Sequence, residues 1–241
     1  MNRQYSGDTR DLFKIDLVFH LMKGISGLES FTFVPMLTDD RKESGGASGK
    51  GKKDLAKAAL KGKAGSRNAA LLKHMARLQE IDSDKEYFLG IRSLFKKENI
   101  RIRILEEPGF THKARGRYFN NLFENFPSRT LLFLDPDIGL EVKNATKRHL
   151  LFDEVKEAYS HMDSRSVLMV YQHIPRVMRD GYIRHRCREL KKHTGRMPVT
   201  VTDNEIVFFL IAKDRRQGEK LTRVLGEYIS QYPSVALDTR D

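Results

Sequence analysis

The sequence predicts an α/β fold with a mostly parallel sheet, and three observations carry that expectation. Short apolar runs bounded by turn residues alternate with stretches of helical spacing, the pattern of a sheet with helices on both faces. Leu131-Leu132-Phe133-Leu134 is such a run, and it ends at once on Asp135-Pro136-Asp137, as a buried strand entering a turn does. Near the C-terminus, Val199 to Thr202 and Ile206 to Ala212 flank Asp203-Asn204-Glu205, so an antiparallel hairpin closes the sheet. A chain of 241 residues suits one α/β domain spanning 1–241 and buries a sizeable core without metals or disulfides.

The elements follow in order. Asp8-Thr9-Arg10-Asp11 forms an acidic cap and first turn. It leads a helix with Leu12, Ile15, Phe19 and Met22 on one face, stopped by Gly24 and Gly27. Phe31 to Leu37 reads as a strand, with Pro35 restricting it to an edge or to its last residues. Residues 41–66 hold six glycines and eight Lys/Arg, with almost no large apolar side chain before Leu55. That composition predicts a flexible basic insertion with a short helix at Lys53 to Leu60. Asn68 to Glu80 and Asp84 to Lys97 read as helices, the second with Phe88, Ile91, Leu94 and Phe95 inward. Ile100 to Leu105 alternates Ile with Arg, as a half-exposed strand does, and ends at Glu106-Glu107-Pro108-Gly109. After the Leu131 strand come a helix at His149 to Tyr159, with His149 exposed at its start, and a strand at Ser166 to Tyr171. A basic helix runs from about Arg176 to Lys192; His185 and His193 belong to it, and Cys187, at helical spacing with Ile183 and Leu190, reads as a core thiol. A last helix runs from Gln217 to Tyr232.

Charge and cysteine usage exclude several classes. The single cysteine, Cys187, rules out an intrachain disulfide and any multi-thiolate metal site. The longest unbroken apolar run, Ile206 to Ala212, is too short to span a bilayer, and no secretory signal is visible, so a soluble cytoplasmic protein without membrane partners is expected. The net charge of +12 is local: residues 41–67 carry nine Lys/Arg against Glu43 and Asp54, and residues 176–196 carry eight against Asp180 and Glu189. The remainder is close to neutral. Two basic patches fit a polyanionic partner, RNA or DNA, with Lys50, Lys52, Lys53, Arg176, Arg179, Arg184 and Arg188 as backbone contacts. Gly46-Ala47-Ser48-Gly49-Lys50-Gly51-Lys52 matches the start of a phosphate-binding loop. Lys53 then stands where a hydroxyl should reach magnesium, and the segment does not directly follow a strand.

The strongest site candidate is Asp135-Pro136-Asp137-Ile138-Gly139-Leu140-Glu141. In open α/β sheets ligands bind outside the carboxyl ends of strands, and here three carboxylates gather at one such end. Tyr171 and His173, at the end of the next strand, are either packing groups or site groups.

The order of elements, with an acid-Pro turn after a central strand, is similar to the Rossmann-like sheet of class I methyltransferases. Tyr5-Ser6-Gly7-Asp8, with Asp11 and Lys14, resembles the N-terminal motif of bacterial 23S rRNA adenine-N6 methyltransferases of the J type. The Leu131–Pro136 segment resembles their Ile-Asp-Pro-Pro-Tyr motif. Together with Gly139-Leu140-Glu141 and Val170-Tyr171-Gln172-His173, these blocks also resemble an uncharacterised bacterial protein family. The resemblance implies S-adenosylmethionine-dependent N-methylation of a nucleic-acid base. Asp135 and the Pro136 carbonyl would hold the exocyclic amine, with Asp137 and His173 beside them. Tyr5, Gly7, Asp8 and Lys14 would lie near the cofactor, and Glu106 or Glu107 would hold its ribose hydroxyls. Two departures stand out. No aromatic follows Pro136, and Val34-Pro35-Met36-Leu37-Thr38 lacks the glycines that let backbone approach a cofactor closely.

Two rival expectations remain open. Asp135, Asp137 and Glu141 are hard oxygen ligands that suit Mg2+ in a phosphodiesterase, with His173 as base or acid. The same fold also suits a non-catalytic nucleic-acid-binding protein. The sequence leaves the oligomeric state open.

Overall fold

The computed structural model describes residues 7–38, 55–106 and 110–239. Its core is a seven-stranded sheet built from β1 (Ser30–Pro35), β2 (Arg101–Ile104), β3 (Thr130–Asp135), β6 (Val167–His173), β7 (Val199–Thr202), β8 (Ile206–Ala212) and β9 (Ala236–Asp238). A separate two-stranded ribbon pairs β4 (Gly139–Leu140) with β5 (His149–Leu150). The spatial order is β2-β1-β3-β6-β8-β7-β9. The first four are mutually parallel, and β8, β7 and β9 follow as antiparallel neighbours. An α/β fold with a mostly parallel sheet and a closing antiparallel hairpin is therefore present.

Side-chain alternation explains how the sheet is covered. On β3, Leu131 and Phe133 join one apolar cluster while Leu132 and Leu134 join the other, and all four are fully buried. The first cluster packs under α1 (Thr9–Gly24), α3 (Ala69–Gln79), α4 (Asp84–Lys97) and α8 (Arg215–Ile229). The second packs under α5 (Arg115–Glu124), α6 (Phe152–His161) and α7 (Arg179–Thr194). A short α2 (Leu55–Leu60) lies against the first cluster through Leu55. Strands buried on both faces need apolar residues at every position, which is why β3 and β8 read as unbroken hydrophobic runs. Side-chain caps fix several helix starts: Asp8, the expected cap, and also Asn68, Ser83 and Asp214 accept backbone N–H groups.

Several expectations need correcting. The helix expected from His149 begins only at Phe152. His149 itself sits in β5 and is 8% exposed, because its ring nitrogen accepts the Thr146 N–H at 3.1 Å and its backbone pairs with Gly139. The basic helix begins at Arg179 rather than Arg176, after a loop that carries exposed Val177 and Met178. The insertion expected over 41–66 is in part packed: Leu55, Ala58 and Ala64 are buried, since small and leucine side chains spaced along this stretch fit the α1 side of the core. Its remainder to residue 54, with the phosphate-loop match, lies outside the described residues. Helix α5 was not anticipated, and its start at Ala114 has no side-chain cap to announce it. No helix among the described residues is long and apolar enough to cross a membrane.

Candidate functional site

The chain runs from β1 outward to β2 in one direction and to β3 in the other, so the topological switch point lies between β1 and β3. The crevice outside the carboxyl ends of those strands is where an open α/β sheet binds its ligands. Pro35 and Asp135 are direct register partners there. Alternation places Asp135 on the same face as Leu131 and Phe133, and Tyr171 on that face of neighbouring β6, both toward α1. On α1, Asp11 and Lys14 stand one turn apart on the facing side.

The result is a buried polar cluster. Lys14 Nζ lies 3.0 Å from both carboxylate oxygens of Asp135, although the two residues are 121 positions apart. It also lies 3.3 Å from Asp11 Oδ1 and 4.4 Å from the centre of the Tyr171 ring. Asp135 is fully buried, and Asp11, Lys14 and Tyr171 are nearly so. Burial works against a charged Lys14, but Asp135, Asp11 and Tyr171 outweigh it and hold its pKa above the ordinary value. Burial also pushes the Tyr171 hydroxyl up to about 12. Asp11 anchors the entry to the helix, accepting the Gly7 N–H at 2.8 Å and the Tyr87 hydroxyl at 3.2 Å.

Gly7 has a residue-specific reason to be there. Its φ is +76°, and an added Cβ would lie 2.9 Å from both the Met75 carbonyl and Gln79 Cγ. Only glycine lets the chain turn this closely against α3 and still place Asp8 as the cap. Asp8 is 1% exposed; its Oδ1 accepts the N–H groups of Arg10 and Asp11, while its Oδ2 has no hydrogen-bond partner among the described residues. Burial first, and the nearby Asp11 charge second, raise its pKa to about 6. An orphan carboxylate oxygen in this cluster is an acceptor waiting for a cationic or N–H-bearing group.

The other acids go elsewhere. Asp137 accepts the Thr38 hydroxyl at 2.9 Å and Arg148 Nε at 2.6 Å. Glu141 accepts the Phe152 N–H at 2.5 Å, capping the α6 start. Thus Asp135, Asp137 and Glu141 do not converge on a shared point, and among the described residues no three His, Cys, Asp or Glu side chains are placed to hold a metal ion. The magnesium-binding trio is corrected on that ground: the strand ends at Asp135, and the turn beyond it carries Asp137 to Thr38 and Arg148 and Glu141 to the start of α6. Glu106 lies just beyond β2, exposed, and is held by Arg92 at 2.7 Å. Pro136 is buried and His173 half-buried at the end of β6. His173 donates its backbone N–H to the Ile138 carbonyl at 2.9 Å, which ties β6 to the acidic turn. Tyr5, Lys50, Lys52 and Lys53 lie outside the described residues, as does Glu107. Arg176, Arg184 and Arg188 are exposed, and Arg179 is partly so, bonded to Asn204 at 3.0 Å.

One site residue went unassigned in the sequence. Gln172 is 2% exposed, and its amide accepts the Leu140 N–H at 2.8 Å and donates to the His173 carbonyl at 2.7 Å. It packs against Gly139, whose φ of +145° and absent Cβ allow the contact: an added Cβ would lie 2.3 Å from the amide. Gln172 therefore clamps the turn after Asp135 onto β6. The signal was legible in Tyr171-Gln172-His173, where a polar amide follows a run of strand residues.

Fold and site together define an α/β protein with a buried ionic cluster at its switch point. No protein-family model matches the chain, and no match is found among curated proteins or among solved structures. Function is therefore argued from the site itself.

Proposed function

We propose that the protein is an S-adenosylmethionine-dependent methyltransferase acting on a nitrogen of a nucleic-acid base, on a class I methyltransferase-type sheet. The observation that carries this reading is the Lys14–Asp135 pair. It joins the N-terminal block Gly7-Asp8-x-x-Asp11-x-x-Lys14 to the Asp135-Pro136 turn at 3.0 Å, at the switch point where such a sheet binds its ligand.

The residues present fit the cationic end of the cofactor. Two carboxylates, Asp11 and Asp135, face one buried ammonium, and Asp8, which feels the Asp11 charge, has an Oδ2 without a hydrogen-bond partner among the described residues. That excess of acceptors suits the cofactor's ammonium group. When bound, the cofactor supplies an electrophilic methyl group. Burial raises the Asp135 pKa and the Lys14 ammonium opposes that rise, favouring the carboxylate form that accepts the target amine's N–H donors. Orienting the amine frees its lone pair toward the methyl group. Asp135 is fully buried, so the reading requires the cover of the cluster to shift when the base enters, and a base paired in a duplex must first be flipped out. The missing glycine loop bears on the same site: β1 runs on into buried Met36 and Leu37, leaving cofactor contacts to side chains rather than to exposed backbone.

A specific observation favours a second reading, a nucleic-acid-binding protein without catalysis: Asp137 and Glu106 are each engaged by an arginine. Incubation with tritiated S-adenosylmethionine and deproteinised RNA and DNA separates the two. Methyl transfer predicts label in one nucleic acid, lost at least 100-fold in Asp135→Asn. Salt-dependent binding of nucleic acid with no label in any acceptor overturns methyl transfer and leaves the binding reading.

A further inference from the structure

A cleft of about 440 Å3 opens between α7 and the outer strands of the sheet, away from the switch point. Ile183, Cys187, Met197 and Pro198 form its apolar lining, and Thr200 of β7 lies among them. Arg184, Arg188 and Lys191 also border it, as does Asp238 of β9, the register partner of Thr200. These three cations are exposed and form no ion pair with any described residue. Thr200 is 1% exposed, and its hydroxyl has no hydrogen-bond partner among the described residues. A buried hydroxyl left unpaired is costly, and β-sheet positions facing apolar surroundings are readily filled by valine instead.

We propose that this cleft binds a nucleoside phosphate, the base against the apolar lining with its polar edge on the Thr200 hydroxyl, and the phosphate on Arg184, Arg188 and Lys191. The volume falls in the range of small-molecule sites, which combine an apolar lining with a few placed polar groups. Guanidinium forks match phosphate oxygens in pairs, and three cations against the single carboxylate of Asp238 leave the lining net positive, which favours an anion. The apolar lining excludes a bare inorganic anion as the preferred occupant, because it offers such an ion nothing. A nucleotide carries both halves of the required chemistry. It has two sources: a free mononucleotide, or one residue of a single strand. The site is separate from the Lys14–Asp135 cluster and does not depend on methyl transfer.

The test is calorimetric titration of the full chain with adenosine, guanosine, cytidine and uridine 5′-monophosphates, and with the matching pentanucleotides. The variants are Thr200→Val and Arg188→Ala, with thermal melting of each in the absence of nucleotide. Saturable binding of at least one base is expected, weakened about 3- to 10-fold by Thr200→Val, the scale of one lost neutral hydrogen bond. Arg188→Ala weakens it about tenfold or more. Thr200→Val melts at the same temperature as the parent or higher, since it removes an unpaired buried hydroxyl. This opposition of weaker binding and undiminished stability separates a ligand contact from a fold defect. Preference for the pentanucleotide assigns the strand as the source; equal affinity assigns the free nucleotide. No saturation at 5 mM by any nucleotide overturns the proposal, as does binding that neither substitution weakens. A fall in melting temperature for Thr200→Val overturns the role given to its hydroxyl.

Discussion

The switch-point cluster and the outer face of α7 both hold cations, and they use them in opposite ways. Lys14 is buried, fixed by two carboxylates and an aromatic ring, and has one arrangement open to it. Arg184, Arg188 and Lys191 are exposed and border an open cleft. A buried charge interacts strongly because water does not screen it, and it is correspondingly expensive to leave alone. An exposed charge contributes little by itself, sums with its neighbours, and is weakened by salt. The first region sets geometry; the second sets attraction.

The sharpest way to break this contrast is to remove one side of the buried pair. Lys14→Met strands Asp135 and is expected to cost about 3–5 kcal/mol, read by urea unfolding. Replacing both members, as Lys14→Met with Asp135→Leu, recovers most of that loss because no charge is left alone. A double variant as unstable as the single one would show that the pair's surroundings, rather than the stranded charge, set the cost.

Titration sharpens the same point. Asp8 has a pKa of about 6 in the folded protein against an ordinary 3.8. Between those values the folded chain keeps a proton that the unfolded chain has lost. Stability therefore falls as pH rises from about 4 to about 6 and levels off above, by up to about 3 kcal/mol from this group. Asp8→Asn retains an N-capping side chain and is expected to flatten this segment of the stability–pH curve. An unchanged slope would place the titration on another group.

Gly139→Ala probes the clamp beside the cluster. With φ at +145° and the Gln172 amide in the space a Cβ needs, a loss of about 2–3 kcal/mol in thermal or urea unfolding is expected. The smallest stability effects belong to α7. Arg184→Ala and Arg188→Ala are expected to stay within about 0.5 kcal/mol of the parent. If their guanidinium groups contact backbone phosphates, each lowers the salt slope of nucleic-acid binding by about 1. A large stability loss in either would move these residues from surface to scaffold.

Much of the sheet was legible because burial on both faces demands unbroken apolar runs, and β3 and β8 announced themselves in that way, while β7 was legible from the Asp203-Asn204-Glu205 turn that joins it to β8. The Asp8 cap was legible from the acidic start of the first helix, and Lys14 was singled out by the resemblance of its N-terminal block. The pairing of Lys14 with Asp135 was not, since nothing local in either segment encodes a contact across 121 residues. Helix α5 escaped because Ala114 gives no cap signal, and β9 because three residues at a sheet edge need no clear alternation. His149 was misread because a polar residue before a helical pattern resembles a helix start. Its burial depends instead on the ribbon it forms with Gly139. The spread of Asp135, Asp137 and Glu141 to three different partners depends on the course of a turn that composition leaves open.

The most direct test of the central claim is calorimetric titration of the purified chain with S-adenosylmethionine, alongside Asp8→Asn and Asp135→Asn. The account predicts saturable binding, weakened about tenfold or more by Asp8→Asn, because that substitution removes the carboxylate whose Oδ2 has no hydrogen-bond partner among the described residues. No binding at millimolar cofactor, or binding indifferent to both substitutions, would contradict it.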